Sequence, residues 1–260
     1  MTRKTPYNSN KFRPVALTIA GFDSSGGAGV LADIKTFECM EVYGVAIITC
    51  NTFQNDITFK GLTWLDKKEK ERNIALLAER FPVKAVKLGM HKNLKDVLHS
   101  IKLCKNYFPD AKIIWDPILA ASAGYDLDIK IQKEALTKIL SSLSLITPNQ
   151  IEVRKLGDSK DAVKAAKCLS MECPTLLKGG HSSAKKTSSD QLFVNGKLKK
   201  EYSSTRLKGK EKHGSGCVLS ASITASIAKG DTLENAIGIG KKYVTDFLKS
   251  NNTLLGYHMN

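Results

Sequence analysis

The chain has 260 residues, 42% of them apolar, which is enough to bury a full core, and it carries a formal net charge of +15. No stretch approaches the roughly 20 consecutive apolar residues of a membrane span, and MTRKTPYNSNKFRP lacks the apolar core of a secretory signal, so a cytoplasmic protein is expected. Cys39, Cys50, Cys104, Cys168, Cys173 and Cys217 form no CxxC pair, which argues against a zinc knuckle or a disulfide framework.

Taken in order, Pro14 to Ala20 is an apolar run ending at a Gly-rich turn, and residues 28–40 follow with helical spacing of Val30, Ile34 and Phe37. Strands are predicted at Val45–Cys50, Val83–Leu88, Ala111–Trp115, Leu143–Thr147 and Thr175–Lys178, with helical segments at 67–80, 93–107, 130–142 and 160–171 between them. This alternation predicts βαβ units: one α/β domain over residues 1–260, with helices on both faces of a mainly parallel sheet. Gln191 to Tyr202, turning at Asn195-Gly196, reads instead as a small antiparallel edge hairpin. Helices at about 217–229 and 232–250 close the domain, the first stopped by Gly230.

Open parallel sheets bind ligands beyond the carboxyl ends of their strands, and the unusual residues fall there. The loop Gly21 to Gly29 has neither the G-x-G-x-x-G order nor a Walker ending; it is either a close backbone approach to a ligand, with Asp23 as acceptor, or a structural turn. Lys212-His-Gly-Ser-Gly-Cys217 sets two glycines at a helix start, where backbone N–H groups and the helix dipole favour an anion. Such a terminus is also expected to lower the pKa of Cys217; the alternative is a plain turn before a buried thiol. Asn149 and Glu152 place two oxygen-bearing side chains on one helix face, suited to helix capping, the plainer reading, or to Mg²⁺ waters. Ten Lys or Arg in 178–212 oppose Asp190, Glu201 and Glu211, a surplus open to three readings: a solvated surface, attraction of polyphosphates, or nucleic acid.

Together, Ala20-Gly-Phe-Asp-Ser-Ser-Gly-Gly-Ala-Gly29, Asp33-Ile-Lys-Thr-Phe37, Gln54-Asn55, Gly89-Met90, Asp116-Pro117, Thr147-Pro-Asn149 with Glu152, Lys178-Gly-Gly-His181 and His213-Gly-Ser-Gly-Cys217 resemble the hydroxymethylpyrimidine and phosphomethylpyrimidine kinases of thiamine biosynthesis. The resemblance runs from about residue 14 to 250. It implies a ribokinase-like, three-layer αβα fold, ATP and Mg²⁺ as cofactors, a homodimer, and transfer of phosphate to a pyrimidine hydroxymethyl group and then to the monophosphate. Gly21, Asp23, Gln54, Met90 and Ile118 would bind the pyrimidine, with the Gln54 amide reading it. Asn149, Lys178, Gly179 and His213 would face ATP, and Asp116 and Glu152 the metal. Cys217 would be the base, with Gly214, Ser215 and Gly216 supplying the amides around the phosphoryl group.

Two departures from the family pattern stand out, Phe22 in the first loop and Glu211-Lys212 before the His-Gly motif, the second bearing on how phosphate is held. A pyridoxine or pyridoxal kinase is the nearest rival, since its substrate is also a hydroxymethyl heterocycle. A basic nucleic-acid-binding protein is a rival of another class, disfavoured by the lack of a docking motif, and no nucleic-acid or membrane partner is expected.

Overall fold

The computed structural model describes residues 13–120, 127, 129–179, 187–207 and 209–259. Gly180 and His181 of the Lys178 motif lie outside the described residues.

In chain order the elements are β1 (Val15–Phe22), α1 (Gly29–Cys39), β2 (Tyr43–Gln54), β3 (Phe59–Trp64), α2 (Lys67–Ala78), β4 (Val83–Leu88), α3 (Leu94–Tyr107), β5 (Lys112–Trp115) and α4 (Lys133–Leu140). They continue with β6 (Leu145–Ile146), α5 (Gln150–Leu156), α6 (Ala162–Leu169), β7 (Thr175–Leu177), β8 (Thr187–Val194), β9 (Lys197–Thr205), α7 (Ser215–Lys229) and α8 (Leu233–Lys249). The sheet order is β3-β2-β1-β4-β5-β6-β7-β8-β9. From β2 through β7 neighbouring strands are parallel. The β2–β3, β7–β8 and β8–β9 pairs are antiparallel.

Alternation along the strands divides the interior into two apolar layers. Val15, Leu17 and Ile19 pack with residues of α2 to α6, among them Ile74, Ile101, Ile139 and Val153. Ala16, Ala85, Ile114, Leu145 and Leu176 pack on the other side with Phe37 of α1, Val218 and Ile223 of α7, and Ile237 and Phe247 of α8. The small Ala16 and Ala85 let α7 approach the sheet closely, which explains why almost the whole helix is buried. This is the expected three-layer αβα arrangement with a mainly parallel sheet. Among the described residues no helix is long and apolar enough to cross a membrane.

The edge hairpin turns as predicted, with Asn195 at φ 51 and Gly196 at φ 73, the two left-handed residues of a type I′ turn. Gly230 ends α7 at φ 99. The sequence reading misses β3 and stops β2 short: Asn51 to Gln54, expected as a loop, continue the strand because β3 pairs with them. Within β3, Gly61 at φ 150 interrupts local strand propensity, so its order comes from β2 rather than from its own residues. The predicted helix 130–142 is trimmed to α4, and the predicted strand 143–147 to β6.

Candidate active site

In the sheet order, the chain proceeds from β1 to β2 on one side and then crosses to β4 on the other. The C-terminal ends of β1 and β4 therefore flank a topological switch point, where an open α/β sheet leaves a crevice. Gly21, Cys50 and Met90 meet there. A Cβ on Gly21 would stand 3.0 Å from the Cys50 sulfur and 3.6 Å from that of Met90, so glycine leaves room for these two side chains. The Met90 carbonyl accepts from the Thr49 hydroxyl at 2.7 Å, which fixes the chain after β4 to β2. Cys50, Thr52 and Gln54 share one face of β2; Thr52 donates to the Phe22 carbonyl at 2.8 Å, and Gln54 lies half-buried beyond it, opposite Phe59. Ile118 is half-buried just after Asp116-Pro117.

The loop after β1 is tied to the loop before α7. Gly29 has φ 58, and a Cβ there would fall 2.1 Å from the Gly21 carbonyl oxygen. Gly214 has φ 72, and its Cβ would fall 1.9 Å from the Gly27 carbonyl oxygen. Only glycine admits this close approach of two backbones. Asp23, expected to face substrate, is spent on the junction: its carboxylate accepts from the Ser25 backbone N–H at 2.9 Å, the Ser25 hydroxyl at 2.8 Å, the Ala28 N–H at 2.9 Å and His213 Nε2 at 2.8 Å. Burial alone would raise its pKa, but the bonds from His213 and Ser25 hold it below the ordinary carboxylate value. His213 thus bridges the two loops through Asp23.

Beyond that junction, Asp116 at the end of β5 is fully buried. One of its oxygens accepts from Lys178 Nζ at 2.7 Å and from the Thr147 hydroxyl at 3.3 Å; the other accepts from Ser220 of α7 at 3.0 Å. A Cβ on Gly216 would lie 3.4 Å from Lys178 Nζ, so the ammonium sits beside the first turn of α7. Burial disfavours its charge, yet Asp116 and Glu152 hold the Lys178 pKa above the ordinary lysine value. Asn149 and Lys178 form a backbone bridge, which brings the start of α5 to the same place. Gly179 donates its N–H to Asp190 at 2.8 Å and lies so near β8 that a Cβ would reach the Ser189 carbonyl oxygen at 1.8 Å.

The start of α5 carries a complete capping box: the Asn149 side chain accepts from the N–H groups of Ile151 and Glu152, and Glu152 accepts from the Asn149 N–H at 2.7 Å. Glu152 is nevertheless more than a cap. Burial, partly opposed by Lys178 and reinforced by the charge of Asp116, pushes its carboxyl up to about 7. The Glu152 carboxyl, held up by burial and by the charge of Asp116, is one that a divalent cation between the two would relieve. Among the described residues no group of three or more His, Cys, Asp or Glu could hold a metal. Mg²⁺ commonly takes one or two protein carboxylates and completes its shell with phosphates and water, and Asp116 and Glu152 are the two that would hold it here.

The start of α7 is built in the opposite way. Gly214 is its N-cap and offers no side-chain cap; Val218 is the N–H that returns to the Gly214 carbonyl, at 2.9 Å. Cys217 sits half-buried in that first turn. The expected lowering of its pKa is corrected here. Burial pushes the thiol up to about 11; Lys87 and the Gly29 N–H favour the thiolate, but Asp116 and Asp33 oppose it. Below the turn, Lys87 and Asp33 form a fully buried ion pair, with Thr18 donating to Asp33 at 2.6 Å. Burial opposes the Lys87 charge, and Asp33, Cys217 and Asp116 together hold its pKa above the ordinary lysine value.

A family model described as phosphomethylpyrimidine kinase matches residues 23–260. The chain belongs to the phosphomethylpyrimidine kinase family. It is 32% identical over 252 residues to the hydroxymethylpyrimidine/phosphomethylpyrimidine kinase of Aquifex aeolicus, covering 92% of this chain and 96% of that one. Identity to the protein of the same name from Bacillus subtilis is also 32%, over 90% and 89% of the two chains. Among solved structures, the phosphomethylpyrimidine kinase of Clostridium difficile superposes with a TM-score of 0.74 at 30% identity, over 90% of this chain and 99% of that one. An ADP complex of Bacillus subtilis pyridoxal kinase superposes with a TM-score of 0.77 at 26% identity, over 90% and 91%. The fold is therefore the ribokinase-like one that the sequence implied.

The sequence reading did not single out Cys50, Ser220 or the pairing of Lys87 with Asp33, which the structure places beside this crevice and the start of α7. Lys87 carried a usable signal, because a central parallel strand is buried on both faces and a charge within it demands a partner. Ser220 follows Gly216 by four residues, one helical turn, and so faces the same way. Nothing in local sequence marks Cys50.

Proposed function

We propose that this protein uses ATP to phosphorylate the hydroxymethyl group of 4-amino-5-hydroxymethyl-2-methylpyrimidine, and then the resulting monophosphate, in thiamine biosynthesis. Family membership is the observation that carries this reading; the site chemistry is consistent with it. The pyrimidine would lie in the crevice bounded by Gly21, Met90 and Ile118, with the Gln54 amide pairing with its ring nitrogen and amino group. Its hydroxymethyl oxygen would point at the turn 214–217.

In the transfer, the hydroxyl oxygen forms a bond to the terminal phosphorus of ATP while the bond from that phosphorus to the ADP oxygen breaks. The N–H groups of 214–217, which no side chain caps, would cradle the phosphoryl oxygens, a contribution of positioning and electrostatics rather than covalent chemistry. Lys178 would offset charge on the departing side. The hydroxyl proton would pass to Cys217 in its thiolate form, which Lys87 and the start of α7 favour, late in a loose transition state that asks little of a base. Glu152 and Asp116 would hold magnesium, whose positive charge would offset that of Asp116, which together with burial and Asp33 raises the thiol pKa. Asn149, Gly179 and His213 would serve the nucleotide side, His213 through its grip on Asp23.

Mass-spectrometric product analysis tests the assignment, after purified protein is given Mg-ATP with equal hydroxymethylpyrimidine and pyridoxal. Pyrimidine mono- and pyrophosphate are expected. Pyridoxal phosphate alone would move the assignment to a pyridoxal kinase, the activity named for the superposed Bacillus subtilis structure.

A further inference from the structure

Lys212 belongs to one of the two departures from the family pattern and stands directly before the turn assigned to the phosphoryl group. A cation there invites the expectation of a phosphate contact. The structure turns it away. Lys212 is buried, and its ammonium donates to the Asn251 carbonyl at 3.0 Å, to the Asn251 side-chain oxygen and to the Thr253 carbonyl. An ammonium has three N–H donors, and all three are used inside the protein.

What those acceptors belong to is a strap formed by residues 251–258, after α8. It is folded on itself: Asn251 Nδ2 donates to the Leu255 carbonyl at 2.9 Å, the Thr253 N–H donates to Asn251 Oδ1 at 2.9 Å, and the Tyr257 N–H donates to the Ser250 hydroxyl at 2.8 Å. Its far end is seated on the domain, with the His258 ring 4.9 Å from that of Phe247 and His258 Nδ1 at 3.1 Å from the Tyr243 hydroxyl. Its middle reaches the site. The Leu254 carbonyl accepts the His213 N–H at 2.9 Å, and a Cβ on Gly27 would stand 2.7 Å from the Leu255 side chain and 2.5 Å from the His213 ring. His213 is thus held by the strap through its backbone and by Asp23 through its ring.

We infer that Lys212 is a positioning residue for phosphoryl transfer: its buried ammonium fastens the strap 251–255 onto the 212–216 turn and so fixes the amides that open α7. The inference rests on the reading of 214–217 as the phosphoryl site. Loss of the ammonium leaves three oxygens without their charged donor, and the strap can then leave His213, whose Asp23 bond alone does not set the backbone of Gly214. Since catalysis by such a turn depends on placement, a displacement of about 1 Å suffices to lower turnover by up to about 100-fold while substrate affinity changes little.

The test compares Lys212→Ala, Asn251→Ala and Gly214→Ala in the full-length protein by steady-state kinetics and circular dichroism. Lys212→Ala is expected to lower kcat at least about 10-fold with KM for the pyrimidine changed less than about 3-fold. Methylammonium chloride should restore part of that kcat, and sodium chloride of equal ionic strength should not. Asn251→Ala keeps the ammonium and both carbonyls and should lose kcat in the same direction but less; it decides the matter if Lys212→Ala fails to fold. Wild-type kcat in Lys212→Ala, or in Asn251→Ala where only that variant folds, would overturn the inference. So would a loss that methylammonium and sodium restore equally. If Gly214→Ala loses turnover while Lys212→Ala does not, the strap alone is rejected; if Gly214→Ala turns over normally, the phosphoryl-site reading fails instead.

Discussion

Two helices begin within reach of Lys178, and they begin differently. The first N–H groups of α5 are satisfied by Asn149, and Glu152 returns the bond to the Asn149 N–H. At α7 a left-handed glycine takes the cap position and no side chain closes the end. A helix terminus occupied by its own residues has little left to offer a ligand, whereas an open one presents aligned donors and the positive end of the dipole. The motif at α5 resembles a site in sequence and serves first as a cap; the motif at α7 resembles a turn and, left without a side-chain cap, is the one proposed to cradle the anion.

The sharpest way to break this contrast is Gly214→Ala. The left-handed φ costs roughly 1–2 kcal/mol for a non-glycine residue, and the added Cβ would collide with the Gly27 carbonyl, so the two loops must part. Loss of aligned donors predicts a fall in kcat of about 100- to 1,000-fold, read by steady-state kinetics alongside a lowered Tm.

Glu152→Gln comes next. Glutamine can still accept from the Asn149 N–H, so the cap survives while the charge goes. Turnover at saturating ATP and fixed magnesium should drop about 10- to 100-fold. The pH dependence has a definite sign. The carboxyl titrates near 7 in the folded protein against an ordinary value of 4.5, so the folded state binds the proton more tightly. Its contribution to stability is full below about 4.5 and is lost as pH rises through 7. Wild-type Tm should therefore fall relative to Glu152→Gln across that window, while the wild-type rate should rise as the carboxylate forms. Parallel Tm curves for the two proteins would contradict this.

Asn149→Ala is the smallest. It removes one cap, for about 1 kcal/mol of stability in a denaturant titration. Turnover should fall much less than in Gly214→Ala; an equal fall would erase the distinction between the two helix starts.

Much of this was legible beforehand. The βαβ alternation gave the layers, because the strands are buried runs bounded by glycine and the helices keep a clear apolar spacing. The Gly-Ser-Gly-Cys turn and the Asn149–Glu152 pair were visible as motifs, together with both of their competing uses. What local sequence could not supply was partnership across the fold. Asp23 looks like a ligand acceptor until His213, 190 residues away, is found on it. Cys217 looks activated by its helix terminus until the fold buries it and brings Asp116 and Asp33 beside it from other elements. Lys212 looks like a phosphate contact until the strap claims its three donors. The strand β3 depends on β2 for the same reason: the stabilising partner is distant in sequence.

The position of the terminal phosphate tests the account most directly, in a crystal structure of the Cys217→Ala variant with Mg-ATP and hydroxymethylpyrimidine. The account predicts that the variant binds both without turnover and places the terminal phosphoryl group on the N–H groups of 214–217, in line with the hydroxymethyl oxygen. A phosphoryl group seated on the start of α5, with the α7 turn facing solvent, would contradict it.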